Sequence, residues 1–153
     1  MSNKQRQLIP VAGLIGTMGL AAYMVVQLNA QPPANVTGDF TNAAVAEVRD
    51  AQSRTVLQGQ FAAVEEEDDD AERKAPLKTT GVDADASGEA EVEFAKSGRV
   101  TTQEVEFSAK GLEPGAKFTF VIDGQVIATV TADKRGNAEA ELDVKMPGAA
   151  ASR

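Results

Sequence analysis

From position 43 onward the chain alternates apolar and polar residues. Gly88-Glu-Ala-Glu-Val-Glu-Phe94 alternates strictly, with Ala90, Val92 and Phe94 on one side and Glu89, Glu91 and Glu93 on the other. Glu104-Val-Glu-Phe-Ser-Ala109 repeats the pattern with Val105, Phe107 and Ala109 facing inward, and Ala138–Val144 does so again. A period of two marks antiparallel strands with one dry and one wet face, whereas a helix would scatter these apolar residues around its surface. The turns agree. Asp123-Gly124 lies between the apolar runs Phe118–Ile122 and Gln125–Val130, and a tight hairpin turn of this kind needs positive φ at both central residues. Asp83–Gly88 and Ala132–Gly136 are further turn clusters, and Leu112-Glu-Pro-Gly115 separates two more strands.

Upstream, strands are expected at about Ala44–Arg49, Thr55–Val64 and Arg73–Thr79, with Asp50-Ala-Gln-Ser53 as a turn and Pro76 placing its strand at a sheet edge. The fold class predicted is all-β: an immunoglobulin-like antiparallel sandwich, or small barrel, of about eight short strands over residues 43–146. Residues 147–153 follow as a disordered tail. Phe61, Phe94, Phe107, Phe118 and Phe120 fall on alternating positions and are assigned to the core. Phe40 sits in a linker, residues 27–42, and is expected to be exposed.

The first 26 residues follow a different pattern. A short basic stretch, residues 1–7, carries Lys4 and Arg6 and precedes an uncharged run from Leu8 to Val26. As a helix that run would span about 28 Å, close to the thickness of a bilayer's hydrocarbon core. Basic residues before it and none shortly after predict the N-terminus inside and the remainder on the periplasmic or extracellular side. The run is either an uncleaved single-pass anchor or a signal peptide cleaved near Ala30. A linker rich in Pro, Asn and Gly follows, with a glycosylation acceptor pattern at Asn35-Val36-Thr37.

Composition narrows the chemistry. The formal net charge is −8, and since Lys4 and Arg6 are the only charges before Asp39, the exported part is more acidic still. Such a surface repels phosphate backbones, which excludes nucleic acid as a partner of the domain. The chain has no Cys and no His, which removes disulfides, thiolate and Ser-His-Asp catalysis and His-ligated zinc. There is no Trp, and the single Tyr, Tyr23, lies in the apolar run, so the domain lacks the usual aromatic platforms for sugars or bases.

What remains is carboxylate chemistry. Glu65–Glu72 holds seven acids in eight positions, with Arg73 and Lys74 next to partly neutralise them. Glu67, Asp68 and Asp70 in this run offer the oxygen ligands Ca²⁺ prefers, though a charge run of this kind is commonly a solvated loop. Asp83, Asp85 and Ser87 match the first half of an EF-hand loop, but the twelfth position, which needs a bidentate Glu, is Phe94. No other cofactor is implied. Glu89, Glu91, Glu93, Glu104, Glu106, Glu139, Glu141 and Asp143 would form a negative stripe, able to meet a basic protein partner or to keep the sheet soluble. Lys96, Arg99, Lys110, Lys117 and Lys134 are available to offset it. Paired carboxylates also allow, in principle, a small hydrolase.

Gly111-Leu-Glu-Pro-Gly-Ala-Lys-Phe-Thr-Phe120, followed by Asp123-Gly124 and Thr131–Gly136, resembles exported bacterial β-sandwich modules of the fibronectin type III-like and carboxypeptidase-regulatory-like kind. The resemblance covers about residues 111–144, and Phe118 stands where those modules carry a corner tyrosine. It implies a binding or spacer module. The expectation is therefore a non-enzymatic, exported module anchored through Leu8–Val26 and acting through protein contacts. A secreted, weakly calcium-responsive binding domain and a carboxylate-dependent hydrolase are the alternatives.

Overall fold

The computed structural model describes residues 36–67, 70–97, 100–144 and 146, with the backbone alone at 65–67, 70, 96, 97, 100 and 101. The segments 1–7 and 8–26, the cleavage position near Ala30 and the tail 147–153 lie outside these residues. Every regular element described is a strand: β1 (Val45–Arg49), β2 (Thr55–Gln60), β3 (Glu65–Glu67), β4 (Asp70–Thr79), β5 (Ser87–Ser97), β6 (Val100–Lys110), β7 (Lys117–Ile122), β8 (Gln125–Thr131) and β9 (Ala138–Val144).

All ladders are antiparallel, and the strand order is β8-β7-β1-β2-β4-β5-β6-β9, with β3 pairing on β4 beside this path. The two end strands, β8 and β9, come back near each other, so the sheet is nearly closed into a barrel. Each neighbouring pair along the path shares a ladder, which gives one curled sheet. After the meander through β6 the chain crosses to β7 on the far side of β1, and then returns through β8 to place β9 beside β6. That is Greek-key connectivity.

The alternation read from the sequence sets the inside. Ala90, Val92, Phe94, Val105, Phe107 and Ala109 are all buried. Phe107 and Phe120 stack across the interior, ring centroids 4.7 Å apart and planes 7° from parallel. At the Asp123-Gly124 turn φ is 47° and 83°, the mirror-image turn that the strand twist favours. The Asp123 carboxylate also accepts the Ala44 and Val45 N–H groups, which fastens this turn to the start of β1.

Three expectations are corrected. Phe40 is not an exposed linker residue but is buried, and Val36 joins the same core, because residues 36–40 lie against the barrel instead of leading away from it. Thr55–Val64 is not one strand. Phe61 N–H still bonds the Ala44 carbonyl, but Ala62 N–H bonds that of Lys74, so the chain leaves β1 and runs on along β4 as β3. Pro76 is not on an edge strand, since β4 lies between β2 and β5. The β2–β4 ladder is confined to Leu57↔Thr79 and Gln58↔Lys78, so the missing N–H costs no bond to β2. Beyond that ladder the backbones approach so closely that a Cβ at Gly59 would strike the Pro76 carbonyl.

Two turns share one design that the sequence reading did not pair. Asp50 accepts the N–H groups of Gln52 and Arg54, and Asp133 accepts those of Arg135 and Asn137. In both, the residue at the third place after the Asp has positive φ: Gly136 at 79° and Ser53 at 62°. An L-residue is strained there and Gly is not. Ser53→Gly is therefore expected to raise the unfolding free energy by about 0.5–1 kcal/mol, measured by urea denaturation.

Candidate functional site: an acidic sheet face

The wet faces of β4, β5, β6 and β9 form one continuous surface, and antiparallel register lines their side chains up in rows. One row runs Glu72–Glu93–Glu104–Asp143 across the four strands, and every member is acidic. The next runs Lys74–Glu91–Glu106–Glu141, and the one after it Pro76–Glu89–Ser108–Glu139. Directly opposed side chains in such a sheet lie about 5 Å apart at Cβ, so like charges repel. The stripe predicted from the sequence is thus brought together, with Glu72 added to it.

Lys74 is the only cation in these rows. Its Nζ lies 2.5 Å from a Glu72 carboxylate oxygen and 3.6 Å from one of Glu91. The hydrogen bond to Glu72 holds the Lys74 ammonium well above the usual lysine range. Arg73, expected to share in this neutralisation, points elsewhere. It follows the inward parity of β4, donates to the Ala62 and Thr41 carbonyls, and lies over the Phe61 ring at 5.7 Å. Removing the one cation leaves Glu72 and Glu91 opposed to acids alone. Lys74→Met is therefore expected to cost about 0.5–1 kcal/mol at pH 8 and less at pH 5, in chemical denaturation at the two pH values.

The crowding shows in the protonation equilibria. Burial, then the Glu72 charge, pushes Glu91 up to about 7 against the opposing pull of Lys74. Burial, then a carboxyl–carboxyl hydrogen bond with Glu141, brings Glu104 up to about 7. Burial and the Glu141 charge raise Glu106 as well. Two carboxyl groups can hydrogen-bond only if one keeps its proton, and the raised Glu104 is the one that holds it.

Glu72, Glu91 and Glu93 can each place a carboxylate oxygen within 4.8 Å of the others, a group able to approach one metal ion. Ca²⁺ takes six to eight oxygens, and here the Lys74 ammonium already sits against two of the three residues. The sequence-predicted calcium residues fall elsewhere. Asp83 and Asp85 lie in the turn between β4 and β5, where the Asp83 carbonyl accepts the Thr79 hydroxyl and the Ala86 N–H, and Ser87 opens β5. Glu67 and Asp70 face each other in the β3–β4 hairpin, and Asp68 and the side chains of Glu67 and Asp70 lie outside the described residues. Asp70 and Thr79 begin and end β4, so the two sets are about 30 Å apart and do not form one site.

Glu72 was missed because the predicted strand began at Arg73. The signal was present: Ala71, Arg73, Ala75 and Leu77 alternate with Glu72 and Lys74, which carries β4 back into the acidic run. No family model, curated protein or solved structure matches the chain.

Proposed function

We propose that the chain is an exported, membrane-anchored, non-catalytic β-domain that works through protein contacts, with the β4-β5-β6-β9 face meeting a basic partner. The observation that carries this reading is the register: carboxylates from four adjacent strands are held in rows with Lys74 alone among them. A sheet needs only scattered charge to stay soluble, and opposing like charges across its ladders costs stability. Complementary charge of this density steers encounter with a cationic surface and rejects anionic ones. The basic stretch before Leu8–Val26, and the likeness of residues 111–144 to exported sandwich modules, support export and a binding or spacer role.

Intact-mass measurement of the native protein reports whether residues 1–30 remain. Cross-linking in intact membranes is then compared between the wild type and a Glu93→Lys, Glu106→Lys variant. A cross-linked species that disappears in the variant and weakens in high salt supports the reading. The same cross-link surviving charge reversal would remove the acidic face from it.

A further inference from the structure

β9 is the least secured strand on the acidic face. It shares a ladder with β6 on one side, whereas its other edge lies across the seam from β8 and forms no ladder with it. Its buried side is small, consisting of Ala138, Ala140 and Val144 with Leu142 partly covered. On its wet side, Asp143 stands opposite Glu104, Glu141 opposite Glu106, and Glu139 opposite Ser108. Behind β6, Glu89, Glu91 and Glu93 of β5 press on the same acids. Lys74, the one cation of these rows, is on β4, with β5 and β6 between it and β9, and Lys110, the next outward residue of β6 after Ser108, lies at the far end of the ladder from Glu104 and Asp143.

We propose that β9 is a pH-released edge strand, loosened from β6 as the carboxyl groups that face each other across their ladder become fully charged. The register and the open seam would loosen β9 in this way whether or not the face meets a partner. The direction follows from linkage. Glu104, at about 7, and Glu106, also raised, keep protons in the folded state that the unfolded chain gives up near 4.5. Their contribution is fully present below about pH 4.5 and is lost as pH rises through about 7. At higher pH the rows Glu93–Glu104–Asp143 and Glu91–Glu106–Glu141 carry like charge throughout, and the strand with the smallest apolar hold yields first.

The test is amide hydrogen exchange of the full-length protein between pH 5.5 and 8, corrected for intrinsic exchange rates, comparing 138–144 with 45–49. Protection of 138–144 is expected to fall at least about tenfold while 45–49 changes little. Glu104→Gln with Glu141→Gln, which keeps a neutral hydrogen-bonding pair, is expected to hold protection at pH 8. Glu106→Gln alone is expected to restore part of it, which keeps the test open should the double variant fold poorly. Protection of β9 independent of pH would overturn the proposal, as would an equal fall in every strand. A Glu106→Gln protein with an unchanged pH profile would also overturn it.

Discussion

Phe107→Ala is expected to lower the unfolding free energy by about 3–5 kcal/mol, towards the upper end of that range. The ring is completely buried. Its cross-strand neighbours are Ala90 on β5 and Ala140 on β9, neither of which can swing into the vacated space. A cavity that cannot collapse costs the lost dispersion contacts in addition to the transfer term. The partner ring, Phe120, belongs to β7, and β6 and β7 share no ladder. The stack is therefore a contact through the core between opposite walls of the barrel. Urea denaturation of Phe107→Ala, Phe120→Ala and the double variant measures it, with a coupling of about 0.5–1.5 kcal/mol expected beyond simple burial. Additive losses would mean that the rings stack without supporting one another.

Gln103→Leu is expected to cost about 2–4 kcal/mol, although it replaces a polar side chain in the core with an apolar one of similar size. Gln103 is 2% exposed. Its Oε1 accepts the Phe40 N–H at 3.0 Å and its Nε2 donates to the Gly38 carbonyl. These bonds press residues 38–40 against the barrel end where β6 starts and β9 finishes, and they keep Phe40 in the core. Leucine would leave a donor and an acceptor without partners, each costing about 1–3 kcal/mol if it stayed buried. The segment escapes part of that cost by lifting off, which surrenders the burial of Phe40 and Val36. A lower denaturation midpoint should thus be joined by faster proteolysis between positions 36 and 44. A stability loss without faster cleavage there would show that the strap stays docked.

These two residues also show where sequence reasoning succeeds and where it stops. Phe107 was legible as core because it sits in a strictly alternating strand, where parity alone decides which way a side chain faces. The acidic residues of β5, β6 and β9 were legible in the same way, residue by residue along each strand, whereas Glu72 of β4 was not. What parity does not supply is the partner. That Glu93 lies opposite Glu104 depends on the register of one hairpin, and that Glu104 lies opposite Asp143 depends on register between segments far apart in the chain. Phe40 and Gln103 were not legible at all. Phe40 lies among Asn, Thr and Gly residues that look like a linker, and a lone Gln on an inward position carries no sign that it will cap a segment 63 residues earlier. Pro76 misled for a related reason. The missing N–H is a local property, whereas the short β2–β4 ladder that makes it harmless is a tertiary one.

The place of β7 beside β1 has a kinetic consequence. β1 meets β2 after one short turn, but its other ladder waits for a partner that is anchored through the Val45–Asp123 contact, 78 positions away. Bringing such distant segments together costs chain entropy before any contact repays it, so docking of the β7–β8 hairpin is expected to be a late step in folding. A nascent or truncated chain ending before Lys117 would leave one side of β1 with unmatched amide and carbonyl groups, a template for joining another molecule edge to edge. Ribosome-stalled or C-terminally shortened forms should self-associate, whereas chains completed through Val144, which also cover the outer edge of β6 with β9, should not.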